Sequence, residues 1–227
     1  MIGVFDSGAG GITAIKELRK ILPSADICFL ADRKNAPYGT KTPSELVKLV
    51  KCDISRLYSA GADKILMACC TASTVYPLLP RSMHKIAIPI ISPAAREAII
   101  TTQNGKIGVI ATERTVRSGA FTRILSKSPT VKSVIELPIQ PLVALVESGC
   151  TDERVNETQR EEISRLLRPF REAKIDTLIL GCTHFPHLEL TIGGCLPQVR
   201  LVSASREGAR EIMKNATHGG KGKTLYL

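Results

Sequence analysis

Two cysteines in this 227-residue chain occupy the same place in two similar segments. Asp63-Lys64-Ile65-Leu66-Met67-Ala68-Cys69 matches Asp176-Thr177-Leu178-Ile179-Leu180-Gly181-Cys182 at an offset of 113 residues. Each reads as an acidic residue, a buried apolar strand, a small residue and a thiol, with a threonine (Thr71, Thr183) at or next to the following position. In open α/β sheets the loops and helix N-termini converge at the carboxyl ends of the strands, so groups placed there can meet a ligand. A thiol at a helix N-terminus faces unpaired N–H groups and the positive end of the helix dipole, which lower its pKa from about 8.5 and favour the thiolate. That is what an acid/base thiol requires. A lone cysteine at such a place is more often a buried structural residue, but a pair at matching strand ends points to proton-transfer chemistry.

Other chemistries fit less well. The seven cysteines (Cys28, Cys52, Cys69, Cys70, Cys150, Cys182 and Cys195) are an odd number in a chain large enough to need no covalent staples, and read as free thiols. His184 lies two residues after Cys182, and Cys69 is followed by Cys70, yet no pair has the CxxC spacing of a zinc site, so no metal is expected. Gly8, Gly10 and Gly11 suggest a dinucleotide loop, but Thr13 stands where GxGxxG needs its third glycine.

The elements that must position these residues are short Ile/Val/Leu segments alternating with stretches of helical periodicity, the pattern of α/β units on a parallel sheet. Strands are expected at 2–6, 27–31, 65–68, 86–90, 107–111, 177–181 and 199–202. The clearest helices are 12–22, 43–59 and 152–173, the last with Val155, Ile163, Leu166, Leu167 and Phe170 for one buried stripe. Ile2–Ser7 is also echoed by Ile107–Thr112, at an offset of 105. The two echoes together imply two lobes related by a pseudo-twofold axis: residues 1–95 with 203–227 on the Cys69 side, and 96–202 on the Cys182 side, hinged near 92–104. The tail Gly219–Lys223, glycine-rich and basic, is expected to be mobile.

Apolar residues at 44% and charged residues at 23% describe an ordinary globular protein. The net charge of +10 comes from basic residues spread evenly along the chain without a run, and aromatics are few, so specific nucleic-acid binding is not expected. No apolar run approaches the ~18 residues of a membrane span and the start lacks a signal-peptide pattern, which together predict a cytoplasmic protein.

Five spaced segments then carry a resemblance. They are Gly3-Val4-Phe5-Asp6-Ser7-Gly8 with Gly10-Gly11; Ala31-Asp32 with Pro37-Tyr38-Gly39; Ala68-Cys69 with Thr71-Ala72-Ser73; Leu145-Val146-Glu147-Ser148-Gly149; and Leu180-Gly181-Cys182-Thr183-His184-Phe185-Pro186. In this order they resemble the glutamate racemases of the aspartate/glutamate racemase superfamily, over nearly the whole chain. The resemblance implies a two-lobed α/β enzyme that holds its substrate between the lobes, with one catalytic cysteine from each and no metal, pyridoxal phosphate or nucleotide. It implies that Asp6 assists Cys69, that His184 assists Cys182, and that Glu147 supports His184. Asp6, Ser7, Pro37, Tyr38, Gly39, Cys70, Thr71, Thr115, Thr183 and His184 correspond to substrate-binding positions. The substrate implied is glutamate, because aspartate racemases tend to carry glutamate where this chain has His184, and the product D-glutamate would serve peptidoglycan synthesis. A homodimer is compatible with the resemblance.

The chain departs from that pattern in two places. The family usually has asparagine where Cys70 stands, and a thiol is a weak donor and poor acceptor beside an amide. It often has an aspartate where this chain reads Ser203-Ala204-Ser205. The first departure keeps alternatives open: a racemase or isomerase of another amino acid such as aspartate, a non-catalytic regulatory homologue, or a thiol-redox protein using Cys69-Cys70.

Overall fold

In the computed structural model, which describes residues 1–216 and 219–227, both echoes are echoes of register. The strands are β1 (Ile2–Asp6), β2 (Ile27–Ala31), β3 (Lys64–Met67), β4 (Ala87–Pro89), β5 (Lys106–Ala111), β6 (Ser133–Pro138), β7 (Thr177–Gly181), β8 (Arg200–Ser203) and β9 (Thr224–Tyr226). They form two sheets, ordered β4-β3-β1-β2-β9 and β6-β5-β7-β8, with every pair parallel. Read outward from β1 and from β5, the first four strands of each sheet have the same order. Gly3 pairs with Ile65 and Gly108 with Leu178, so the offsets of 105 and 113 hold across the ladder.

Packing follows the same plan. A Cβ on Gly3 would lie 3.0 Å from Ala62 and Ile65 and 3.4 Å from Leu57, and one on Gly108 would lie 2.6 Å from Ile175 and 2.7 Å from Phe170. Leu57 and Phe170, like Ala62 and Ile175, are again 113 residues apart. In each sheet, therefore, the segment leading into the cysteine-bearing strand crosses the first strand at a residue that must lack a side chain. β1 and β7 are buried along their full length, as central parallel strands covered on both faces must be.

The chain divides into two compact units, Met1–Pro93 with Ser205–Leu227, and Ala94–Ala204. In the first, the helix Pro43–Ser59 begins in a capping box, Thr42 with Glu45, with Pro43 at its first position, and buries Leu46, Val50, Ile54 and Leu57 on one stripe. That stripe packs with Phe5, Leu30, Tyr38, Ile65 and Met67 into one apolar cluster. In the second, Ile110, Ile163, Leu167, Phe170, Leu178, Leu180 and Phe185 do the same.

Three expectations need correction. The single helix over 152–173 is two helices, Glu157–Leu166 and Arg168–Glu172. Asn156 and Gln159 make a capping box that starts the first, Pro169 sits where the second must begin, and Asp152 instead accepts from Leu190 and Thr191 at the start of the helix Glu189–Cys195. Strand β6 escaped notice because Ser133-Val134-Ile135-Glu136-Leu137-Pro138 is an edge strand, only partly buried and without the apolar run of its neighbours. The tail is anchored: Asp26 Oδ1 accepts from the N–H groups of Lys221 (2.9 Å) and Lys223 (3.0 Å), and β9 adds to the sheet beside β2. Arg19 fastens it further through the Lys223 carbonyl (2.8 Å) and Thr224 Oγ1 (2.7 Å).

Candidate active site

Cys69 lies one residue beyond β3, after Ala68, and the pairing of β1 with β3 puts the Asp6-Ser7 turn beside it: Phe5 pairs with Met67, and the Ala68 N–H donates to the Phe5 carbonyl at 2.9 Å. Asp6 is buried, and its Oδ1 accepts from the Gly8 N–H at 2.9 Å and the Ser7 hydroxyl at 3.3 Å. The helix Ile12–Ile21 that follows has Gly11 at its N-cap. Ser7 Oγ lies 3.5 Å from Cys69 Sγ, which also accepts from the Ala72 N–H at 3.4 Å at the start of the helical turn Cys70–Ser73.

Those donors do not make Cys69 acidic. Burial, followed by the negative charge of Asp6, pushes the thiol up to about 11, against the opposing pull of Ser7 and the Ala72 N–H. The expected lowering by a helix dipole fails because the helix is four residues long and the thiol is buried. Burial and the charge of Asp6 together keep the Cys69 thiol neutral.

In the second unit Cys182 follows β7, and its sulfur is 3.3 Å from His184 Nδ1. His184 Nε2 is 3.4 Å from Glu147 Oε1, at the end of the helix Gln140–Glu147. The Glu147 side chain is 65% exposed, so this pair contributes at most about 1 kcal/mol. The repeat breaks at these helpers. The position matching Asp6 is Ala111 and the position matching His184 is Thr71, so each thiol has a titratable neighbour from a different element.

Among the expected binding residues, Cys70, Thr71 and Thr183 are buried beside the two thiols in sequence, while Pro37 and Gly39 are exposed. Tyr38 lies between them, with its side chain turned inward. It is 1% exposed, and its hydroxyl contacts Asp32 Oδ2 at 2.7 Å and Asp53 Oδ2 at 2.8 Å. Thr115 is also fully buried, its hydroxyl 2.9 Å from that of Thr112, which caps the helix Glu113–Ser118. Asp53 was missed, although a lone acid on the stripe Leu46, Val50, Ile54, Leu57 was a signal available in the sequence. Among the described residues no three His, Cys, Asp or Glu side chains are grouped to hold a metal ion.

Comparison with known proteins bears on this geometry. The model of the Asp/Glu/Hydantoin racemase family matches residues 15–212. A glutamate racemase from Desulforudis audaxviator is 40% identical over 211 residues, 92% of this chain and 76% of the relative. One from Geobacter metallireducens is 37% identical over 222 residues, 97% of this chain and 81% of the relative. Among solved structures, a glutamate racemase isoform from Bacillus anthracis superposes with a TM-score of 0.87 at 30% identity, covering 100% of this chain and 86% of that one. The glutamate racemase from Francisella tularensis in complex with D-glutamate gives 0.85 at 28% identity, covering 99% and 86%.

Proposed function

The chain belongs to the Asp/Glu/hydantoin racemase family, and from that premise we propose that it interconverts L- and D-glutamate without a cofactor, using Cys69 and Cys182 as its two acid/base groups. The observation that carries the mechanism is the repeated register, which ends two equivalent strands in thiols, each with its own proton partner: Asp6 with Ser7 for one, His184 for the other.

Inverting a Cα centre requires removal of its proton from one face and delivery of another to the opposite face. Two like groups suit a reaction that runs both ways between mirror-image substrates. In one direction Cys69 passes its proton to Asp6 and the thiolate takes the Cα proton. The Cys182 thiol then protonates the carbanion, leaving a thiolate 3.3 Å from His184, and after product release Asp6 gives up its extra proton and Cys182 regains one by exchange with solvent. In the reverse direction the roles exchange. Generating the base only in the bound complex fits a thiol that rests neutral. Ser7, Thr71, Thr183 and the main chain of Pro37–Gly39 hold the substrate's carboxylate and ammonium groups in this reading.

The product D-glutamate would supply peptidoglycan synthesis in the cytoplasm, a setting that suits seven free thiols. No helix among the described residues is long and apolar enough to cross a membrane. Cys70, in the place of the family's asparagine, favours one second reading, a racemase of another amino acid. Circular dichroism of the protein with L-glutamate, D-glutamate and both aspartate enantiomers tests both. Loss of optical activity from glutamate alone, unaffected by a chelator, supports the first reading, and a requirement for pyridoxal phosphate or a divalent metal would sink it.

A further inference from the structure

We propose that Asp53 is a positioning residue for the substrate-facing main chain of Pro37–Gly39, which it holds through a proton shared with Tyr38 and Asp32. The inference rests on the reading above that this segment contacts the substrate. Tyr38 Oη lies within hydrogen-bond distance of Asp32 Oδ2 (2.7 Å) and Asp53 Oδ2 (2.8 Å). A phenol carries one proton and donates one hydrogen bond. Both contacts are bonds only if a second proton is present, carried by one of the carboxyls and donated to Oη. With both carboxylates ionised, one of them would face a phenol lone pair in a buried site, with nothing to offset the desolvation.

The second proton belongs on Asp53. Asn35 Nδ2 donates to both oxygens of Asp32 at 2.9 Å, so both already accept a hydrogen bond from outside the pair. Asp53 is 2% exposed, and Arg56, itself half exposed, places its Nη1 4.0 Å from Oδ1. Burial pushes the Asp53 carboxyl up to about 6; the Tyr38 hydroxyl opposes the shift, Asp32 adds to it and Arg56 opposes it. Cys28 of β2 and Cys69 lie in the same apolar cluster, and burial holds both as neutral thiols.

Protonated, Asp53 pins the turn Tyr38–Thr40 to the helix Pro43–Ser59, while Asp32 pins it to the end of β2. Ionised, it releases one of the two bonds, and the exposed Pro37 and Gly39 lose a fixed position. Substrate affinity therefore falls as pH rises through about 6, through KM more than kcat. Because the folded carboxyl sits above its ordinary value of 3.8, the folded state binds the proton more tightly, and stability also declines between about 4 and about 6.

The test compares the wild type with Asp53→Asn, whose amide donates to Oη at every pH, and with Asp53→Ala, which cannot. The KM for glutamate of wild type relative to Asp53→Asn should be near one at about pH 5.5 and rise about three- to tenfold by about pH 8, with kcat within about twofold. Asp53→Ala should show the raised KM throughout. Carboxyl 13C NMR gives a readout independent of activity: one aspartate titrating near 6 in the wild type and absent from Asp53→Asn. An active protein whose Asp53 titrates near 4, or a KM ratio flat with pH, overturns the shared proton. A carboxyl titrating near 6 in a protein that does not racemise glutamate overturns the substrate role of the turn instead.

Discussion

Replacing Asp6 with Asn should separate thiol reactivity from catalysis, because the structure gives that carboxylate two opposing effects on Cys69. An asparagine keeps an Oδ1 acceptor for the Gly8 N–H at 2.9 Å and the Ser7 hydroxyl at 3.3 Å, so the turn beside the thiol survives. What disappears is a negative charge, the second-largest cause of a thiol pKa of about 11. At pH 8 a thiol of that pKa is ionised to about one part in a thousand, a cost of about 4 kcal/mol at 1.36 kcal/mol per unit. Removing the charge but not the burial should lower the pKa and make alkylation of Cys69 measurably faster at pH 8. Racemisation should nevertheless fall by about 10²–10⁴, because the group that accepts the thiol proton is gone. Timed iodoacetamide labelling with peptide mapping reads the first quantity and circular dichroism the second. A variant that racemises at the wild-type rate, or whose activity rises in step with its alkylation, would refute the reasoning.

Three further outcomes follow from the same geometry. Cys69→Ala and Cys182→Ala should each abolish racemisation while still eliminating a leaving group from one enantiomer of a β-substituted glutamate, measured by release of that group; near-normal racemisation by either variant would contradict the two-thiol assignment. Glu147→Gln should cost less than about tenfold in kcat/KM, since its contact with His184 is 3.4 Å and open to solvent, whereas His184→Asn should cost at least about a hundredfold. Cys70→Asn should lower the KM for glutamate about three- to tenfold by restoring a hydrogen bond of about 0.5–1.5 kcal/mol, and an unchanged profile across a panel of amino acids would place Cys70 out of contact with the ligand.

The central strands were legible in the sequence because buried parallel strands leave apolar runs: 2–6, 27–31 and 177–181 stand where composition puts them. What composition could not convey was interaction with distant partners. β6 has no apolar run, β9 depends on Asp26 about 200 residues earlier in the chain, and the helix expected over 152–173 is divided by a cap and a proline rather than by any change in periodicity.

The site divides the same way. Equivalent strand ends were readable from two cysteines 113 residues apart, but a repeat reports only what the halves share, and the helpers are where they differ. Asp6 acts on its thiol by charge from the end of the neighbouring strand, where the other half has Ala111; His184 contacts its own from two residues along the same loop, where the first half has Thr71. That difference has a chemical consequence. A buried carboxylate raises the pKa of the thiol beside it, whereas an imidazole in contact with a sulfur can share its proton. In the proposed mechanism the two directions of reaction would therefore begin from unlike resting groups, although they would pass through like thiols.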